Sequence, residues 1–296
     1  MKRVVVQSVL YLTPVADLED VLHSFERVGQ RMHVEGDMLL CLAWGDCSPT
    51  ETVSASVVSE WQKRFAKSFD LVYTFFGENL GHGGAQNRLA SEVPGDYRVF
   101  INPDVVVLSD SISALVKVLI EDPRVGIVDG KQIPFEHPKN FDAQTGDTAW
   151  CSGAFAAVRS AEFLKLGGFD HDNFFMHGDD VDLSWRYRLA GFTASHQPAA
   201  ACFHDKRANE NGAPQASHSE PLHSAVSALL LAHKYSRPDL VEILMTYMTS
   251  ENATPEHQSA AGEYKRRTAE GRLPIAIDSA HRVAQFTNGT YGGHRW

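Results

Sequence analysis

The first half of the chain alternates short apolar runs with amphipathic stretches, and this rhythm leaves few folds open. Val4–Val9 reads as a strand, and Val15, Leu18, Val21, Leu22, Phe25 and Val28 follow at helical spacing. Met38–Trp44 reads as a second buried strand, Glu51–Ala66 as a helix and Phe69–Phe75 as a third strand. The turn Gly81-His82-Gly83-Gly84 leads into a short helix and the strand Tyr97–Asn102, followed by a helix over Ile112–Ile120 and a strand over Arg124–Val128. Strands separated by helices predict an α/β fold with a mostly parallel central sheet flanked by helices on both faces.

Beyond this point the pattern changes. Residues 130–148 are polar and rich in turn formers, and a long excursion of this kind in a compact domain is often functional. A strand over Ala149–Arg159, a helical turn over Ala161–Leu166, an amphipathic helix over Asp179–Ala190 and a strand over Ala199–Phe203 follow. Residues 205–220 are expected to form a mobile loop, Leu222–Tyr235 and Asp239–Met248 to form helices, and the last 45 or so residues carry little pattern. The expected division is a catalytic domain over 1–204, with halves 1–104 and 105–204, and a C-terminal helical extension over 205–296.

Charge narrows the partners. With 27 Lys and Arg against 37 Asp and Glu, the net charge of −10 speaks against nucleic acid, whose binders need a basic footprint. Cys41, Cys47, Cys151 and Cys202 form no C-x-x-C pair and read as buried free thiols. The apolar start is broken at Gln7, too early for a secretory core, and the stretch at Leu229–Leu231 falls far short of the roughly 20 residues of a spanning helix. A cytoplasmic location without a transmembrane segment is expected.

Ligands of open α/β sheets gather at the carboxyl ends of the strands, where three motifs fall. Asp46 follows the second strand, as a hydrogen-bond acceptor for a nucleotide or as a turn residue. Asn79-Leu80-Gly81-His82-Gly83-Gly84-Ala85-Gln86-Asn87-Arg88 lets backbone approach a ligand at a helix start, but Gln86 breaks the G-x-G-x-x-G match to a dinucleotide fingerprint. Asn102-Pro103-Asp104 delivers a carboxylate suited to Mg2+ or Mn2+ with a diphosphate completing the shell. Further on, Asp179, Asp180 and Asp182 open a helix whose dipole favours them, and Asp182 lies one turn before Arg186. Asp180 is placed to act as a general base, its proton affinity held up by neighbouring Asp179.

The series Asn79-Leu80-Gly81 with Asn87, Asn102-Pro103-Asp104, Ser152-Gly153-Ala154, Arg159, Gly167-Gly168-Phe169-Asp170, Phe174-Phe175, Asp179-Asp180-Val181-Asp182-Leu183, Arg186 and Gly191 resembles the inverting family-2 glycosyltransferases of the GT-A fold, particularly rhamnosyl- and galactofuranosyltransferases. The resemblance spans roughly residues 4–204. It implies a nucleoside-diphosphate sugar donor, a glycan or lipid-linked glycan acceptor and a divalent metal, Mn2+ or Mg2+. It assigns the donor to Asp46, Asn79, Gly81, Asn87, Arg88, Asn102 and Asp104, the metal to Asp104 and His204, and the catalytic base to Asp180. The acceptor side falls to Trp150, Ser152, Gly153, His177, Asp179, Trp185 and Arg186. Asp179 stands where the family usually has Glu, and Gly178 where an aromatic is common. Lys206 or Arg207 is a candidate phosphate contact in a closing loop. The acceptor places the protein at the inner face of a membrane, and a homo-oligomer is compatible with the sequence. Two other readings stand beside this one. A sugar nucleotidyltransferase wants a basic phosphate loop after the first strand, and residues 10–17 hold no Lys or Arg. A nucleotide-sugar-binding protein without catalysis has no need of Asp104, Asp180 and His204 together.

Overall fold

The computed structural model describes residues 1–35, 38–137, 139–204, 219–287 and 291. The expected loop over 205–220, with Lys206 and Arg207, falls almost wholly outside the described residues. The parallel half begins with β1 (Lys2–Leu10), α1 (Val15–Glu35), β2 (Met38–Asp46), α2 (Ala55–Phe65), β3 (Asp70–Phe75), α3 (Gly81–Glu92) and β4 (Tyr97–Ile101). It continues through β5 (Val105–Val107), α4 (Ser111–Glu121), β6 (Val125–Ile133), β7 (Asp147–Thr148), β8 (Phe155–Arg159), α5 (Ser160–Lys165), α6 (Asp179–Leu189) and β9 (Thr193–His204). Three helices follow: α7 (Glu220–Lys234), α8 (Pro238–Met248) and α9 (Pro255–Ala269).

Among the described residues the strands form one sheet in the order β3-β2-β1-β4-β8-β6-β9-β5, with β7 beside β9. Strands β3, β2, β1 and β4 are mutually parallel, as the strand–helix rhythm requires. Beyond β4 the sheet is mixed, because β8 enters antiparallel between β4 and β6 and β5 pairs antiparallel with β9. One face is covered by α1, α2 and α4 through a core that includes Phe25, Trp61 and Leu115. The other carries α3, α5 and α6, where Leu89, Phe163 and Tyr187 meet the strands.

Helix α6 is buried on two sides. Leu183 and Tyr187 face the sheet, while Val181 and Trp185 pack against Leu230, Leu231 and Tyr235 of α7. The C-terminal helices therefore complete the enclosure of α6. Helix α9, which the sequence reading left without pattern, docks on α7 through Ala260 and Ala261 with a thin apolar face. Its start is the local signal passed over: the Thr254 side chain caps the His257 amide, and Pro255 fits the first turn.

Candidate active site

The reversal of strand direction after β4 builds the site. Because β8 runs antiparallel to β4, its start lies beside the end of β4, and Ile101 faces Phe155 in register. The turn Asn102-Pro103-Asp104 then meets Ser152-Gly153, joined where the Asn102 amide donates to the Ala154 carbonyl at 3.2 Å. On the next side Val105 opposes His204, which brings the last residue of β9 alongside Asp104. A ligand crevice is expected at such a switch in strand order.

Asp104 Oδ1 and His204 Nε2 lie 3.4 Å apart, and Asn102 Nδ2 lies 3.3 Å from the same ring nitrogen. His204 is buried and its other nitrogen, Nδ1, is 2.8 Å from Gln132 Oε1. Gln132 donates its amide nitrogen to Ser152 Oγ at 3.1 Å, so its oxygen faces the imidazole and Nδ1 must carry the proton. That tautomer turns the Nε2 lone pair toward a carboxylate. Two acceptors converging at this distance suit a shared cation, and a hydrogen-bonded second nitrogen is the usual arrangement of a metal-binding histidine. Among the described residues no third His, Cys, Asp or Glu joins them; Mg2+ and Mn2+ commonly take one or two protein carboxylates and fill the remaining positions with diphosphate oxygens and water. Gln132 gave no sequence signal, because it falls in the stretch after residue 130 that reads as a polar excursion, whereas β6 runs on to Ile133.

Residues 151–153 are held by three successive amides. Cys151 donates to Ser184 Oγ at 3.0 Å, Ser152 to Asp129 Oδ2 at 2.7 Å, and Gly153 to Asp180 Oδ2 at 2.9 Å. Asp129 is in turn bound by His196 Nδ1 at 2.9 Å and by the Lys139 ammonium, tying the excursion after β6 to the sheet. Asp180 Oδ1 accepts from the Val181 amide at 2.9 Å, which fixes the carboxylate at the start of α6. The glycine at 153 keeps the approach close: a Cβ there would stand a tight 3.2 Å from Asp180 Cβ. Asp180, Ser152 and Gly153 thus come together as expected, one strand end from Asp104 and His204. The residue before the helix, Gly178, has φ +71° and leans on Ser227 of α7, and His177 beside it has φ +62° and accepts from Ser227 Oγ at 2.8 Å.

Other expected contact residues are engaged within the protein. Asp46 is wholly buried and accepts from the Ser48 and Thr52 amides and from Tyr73 Oη at 2.5 Å, so it organises the turn after β2. Those bonds hold its carboxyl below the ordinary value although burial pushes it up. Asn79 Oδ1 accepts from the Gly81 amide, and Gly81, at φ +68°, lets α3 close on the Phe175 carbonyl. Asn87 clamps the turn before the acidic helix, accepting from the Phe169 amide and donating to its carbonyl, both at 2.8 Å. Loss of this two-point clamp in Asn87→Ala is expected to cost about 1–3 kcal/mol, checked by denaturant titration. Arg88 lies over the Phe76 ring and pairs with Glu78 and Glu92 at the surface.

On the expected acceptor side, Trp185 is fully buried against Tyr235 and Phe286, and Trp150 is buried beside His137 and Lys139, so neither offers a face to a sugar. Arg186 binds Asp182 at 2.8 Å and the carbonyls of Leu166 and Gly168, holding the turn before α6 in place. Asp182 also receives Lys234 at 2.6 Å and Tyr235 Oη at 3.0 Å, and Lys234 reaches Asp170 at 2.7 Å. Asp179 does not act on Asp180 as an unopposed charge, because His82 Nδ1 lies 2.6 Å from its Oδ2. Burial pushes Asp179 up, yet the charge and hydrogen bond of His82 hold it below the ordinary value.

Residues 45–181 match the family model described as Glycosyl transferase family 2. N-acetylglucosaminyl-diphospho-decaprenol L-rhamnosyltransferase of Mycobacterium tuberculosis is 29% identical over 206 residues, covering 54% of this chain and 66% of that protein. Rhamnosyltransferase WbbL of Escherichia coli is 27% identical over 138 residues, covering 37% of this chain and 52% of WbbL. The match thus spans between about half and two thirds of the length of these relatives. Among solved structures, mannosyltransferase PcManGT from Pyrobaculum calidifontis, in complex with GDP-Man and Mn2+, superposes with a TM-score of 0.57 at 18% identity, over 94% of this chain and 77% of that one. GalNAc-T7 with UDP, GalNAc and Mn2+ gives 0.62 at 12% identity, over 93% and 56%. The fold is the GT-A fold that the sequence led us to expect.

Proposed function

We propose, from the match of residues 45–181 to the glycosyl transferase family 2 model, that this chain moves a sugar from a nucleoside diphosphate to an acceptor hydroxyl with inversion. The observation that carries the reading is the convergence of Asp104, His204 and Asp180 around Ser152-Gly153 where the strand order reverses. Asp180, held by two backbone amides, takes the proton of the attacking hydroxyl, which approaches the anomeric carbon opposite the leaving diphosphate. Asp104 and His204 hold the divalent ion, with Gln132 fixing the imidazole and Asn102 donating beside it. A bound Mn2+ or Mg2+ offsets the charge growing on the leaving diphosphate. Asn79 and Gly81 shape the turn on the donor side, and Ser152, Gly153 and His177 line the acceptor side.

Relatives named for rhamnosyl transfer, one of them onto a decaprenol diphosphate sugar, support a role in glycoconjugate synthesis with a lipid-linked glycan acceptor. No described helix is long and apolar enough to cross a membrane, so contact with such an acceptor is peripheral in this reading, at the cytoplasmic face. The transfer domain ends near residue 204, and the C-terminal helices brace it.

The test is a panel of nucleoside-diphosphate sugars with Mn2+, in which free nucleoside diphosphate and glycosylated acceptor are measured together. Transfer with an inverted anomeric centre is the expected result. Pyrophosphate release would indicate a nucleotidyltransferase, and binding without turnover a sensor. Asp104→Ala is expected to abolish the stimulation by Mn2+ and to weaken Mn2+ binding by about 10- to 100-fold in calorimetry. Unchanged metal dependence in that variant overturns the metal site.

A further inference from the structure

Beside Asp104 and His204 the sheet ends in an apolar face that has no task in the reaction as described. Val106 of β5 and Ile133 of β6 both stand in register with Phe203 of β9, so the three side chains lie abreast on one face. Ile133 is 42% and Phe203 46% exposed, with Val106 half-buried. Their chain neighbours Gln132, Cys202, His204, Val105 and Val107 are buried, as alternation turns them to the opposite, packed face. An open sheet face is ordinarily polar. Here the apolar surface runs on. Leu108, two residues along from Val106, is exposed, and its amide meets the Ala201 carbonyl at 3.5 Å. On the other side of β9, Lys131 stands in register with Ala201, is exposed, and carries no ion pair among the described residues. A contiguous apolar patch with a polar rim marks a binding surface.

Position and charge select the occupant. Phe203 immediately precedes His204, Val106 comes two residues after Asp104, and Ile133 follows Gln132, whose amide oxygen holds the His204 ring. The patch therefore continues the candidate site along the same strand ends. A lone ammonium beside a strip of aliphatic and aromatic side chains matches a molecule that carries an anionic diphosphate next to an apolar chain. A net charge of −10 opposes the approach of a second copy of this chain and of an anionic bilayer surface.

We infer that this face binds the lipid of the acceptor: Lys131 pairs with the diphosphate that joins sugar to lipid, and the first isoprenoid units lie across Ile133, Phe203, Val106 and Leu108. This rests on the transfer reading with a lipid-linked acceptor and adds the place where the lipid sits.

Two acceptor probes test it, N-acetylglucosaminyl diphosphate carrying a farnesyl group and the same sugar diphosphate carrying a methyl group. With the wild type, the farnesyl probe is expected to have a KM about tenfold or more below that of the methyl probe. In Ile133→Thr/Phe203→Thr, which keeps strand-forming residues at exposed positions, the advantage is expected to vanish while the methyl probe and the donor keep their KM. Binding is read separately by calorimetry with farnesyl diphosphate, without added metal so that Asp104 and His204 cannot hold the diphosphate through an ion. The double variant is expected to weaken that binding about tenfold, and Lys131→Met by about two- to fivefold, as for an exposed ion pair. Equal KM for the two probes in the wild type, or unchanged farnesyl diphosphate affinity in the variants, overturns the inference. So does a wild-type dimer that the double variant dissolves, or binding to phospholipid vesicles free of diphosphate lipid that the double variant abolishes. Absence of transfer by the wild type with every donor overturns the transferase reading, and the calorimetry then still decides whether this face takes a lipid diphosphate.

Discussion

Asp180→Asn is expected to lower the rate of sugar transfer by about a thousandfold, within the range that general-base catalysis contributes. The change keeps an oxygen to accept from Gly153 or from Val181 but no longer offers a site for the acceptor's proton. Donor binding depends on the opposite side of the site, so the dissociation constant for a nucleoside diphosphate with Mn2+ is expected to stay within about twofold. Rate and binding measured on one preparation separate loss of chemistry from loss of structure. A variant that transfers at the wild-type rate removes Asp180 from the role of base, whatever the fate of the metal site.

The largest effect on stability is expected at Lys234→Met. The Lys234 ammonium is buried between Asp170 and Asp182 at 2.7 and 2.6 Å, and its removal leaves a fully buried carboxylate, Asp182, and a half-buried one, Asp170, with Arg186 as the nearby cation. Breaking a buried ion pair from one side costs about 3–5 kcal/mol, which in a chain of this size lowers the melting temperature by roughly ten degrees. Acidification should narrow the difference. Burial pushes the Asp170 carboxyl up, but Lys234 outweighs it and holds the folded value below the ordinary one. A depressed folded value means stabilisation that is complete above the unfolded carboxyl's pKa of about 4 and lost as pH falls through the folded value. Thermal melts of both proteins from neutral to acid pH would show the gap closing; a constant gap would mean that Lys234 acts by packing alone.

The parallel half was legible because each of its strands and helices carries its own period, and each crossover is local. Strand β5, three residues after a proline turn, and strand β7, two residues inside a polar excursion, are too short to carry a period at all. Trp185 shows the harder limit. An aromatic residue on a helix rich in charge looks like a surface platform, and what covers it, Tyr235, lies fifty residues downstream. Likewise Asp182 and Arg186 stand one helical turn apart in the sequence, and nothing nearby in it shows that Lys234 and Tyr235 cover Asp182. The placement of Asp104, His204 and Asp180 was legible because strand ends and a helix start locate them from sequence. Asp46 and Asn87 hold turns in the structure, and Asp and Asn serve a turn and a ligand with the same atoms, so sequence alone could not single out the turn. His82 stood in view inside the glycine-rich turn, but its partner, Asp179, comes from a helix almost a hundred residues away.

The pairing of Asn102 and Asp104 with His204 across roughly a hundred residues also sets a timetable for synthesis. A chain leaving the ribosome folds from its amino end. Strands β1 to β4 have all their mutual partners once residue 101 has emerged, but β4 then presents an open, apolar edge until residues 155–159 arrive to cover it. An exposed edge of that kind invites pairing with other nascent chains, so this interval is where aggregation competes with folding. Asp104 and His204 meet only after β9 is laid down, and α6 receives its buried lysine only after α7 is made. Chemical competence is thus the last property this protein acquires, and a chain terminated shortly after residue 204 would hold the site's residues without the helix that keeps its acidic face in place.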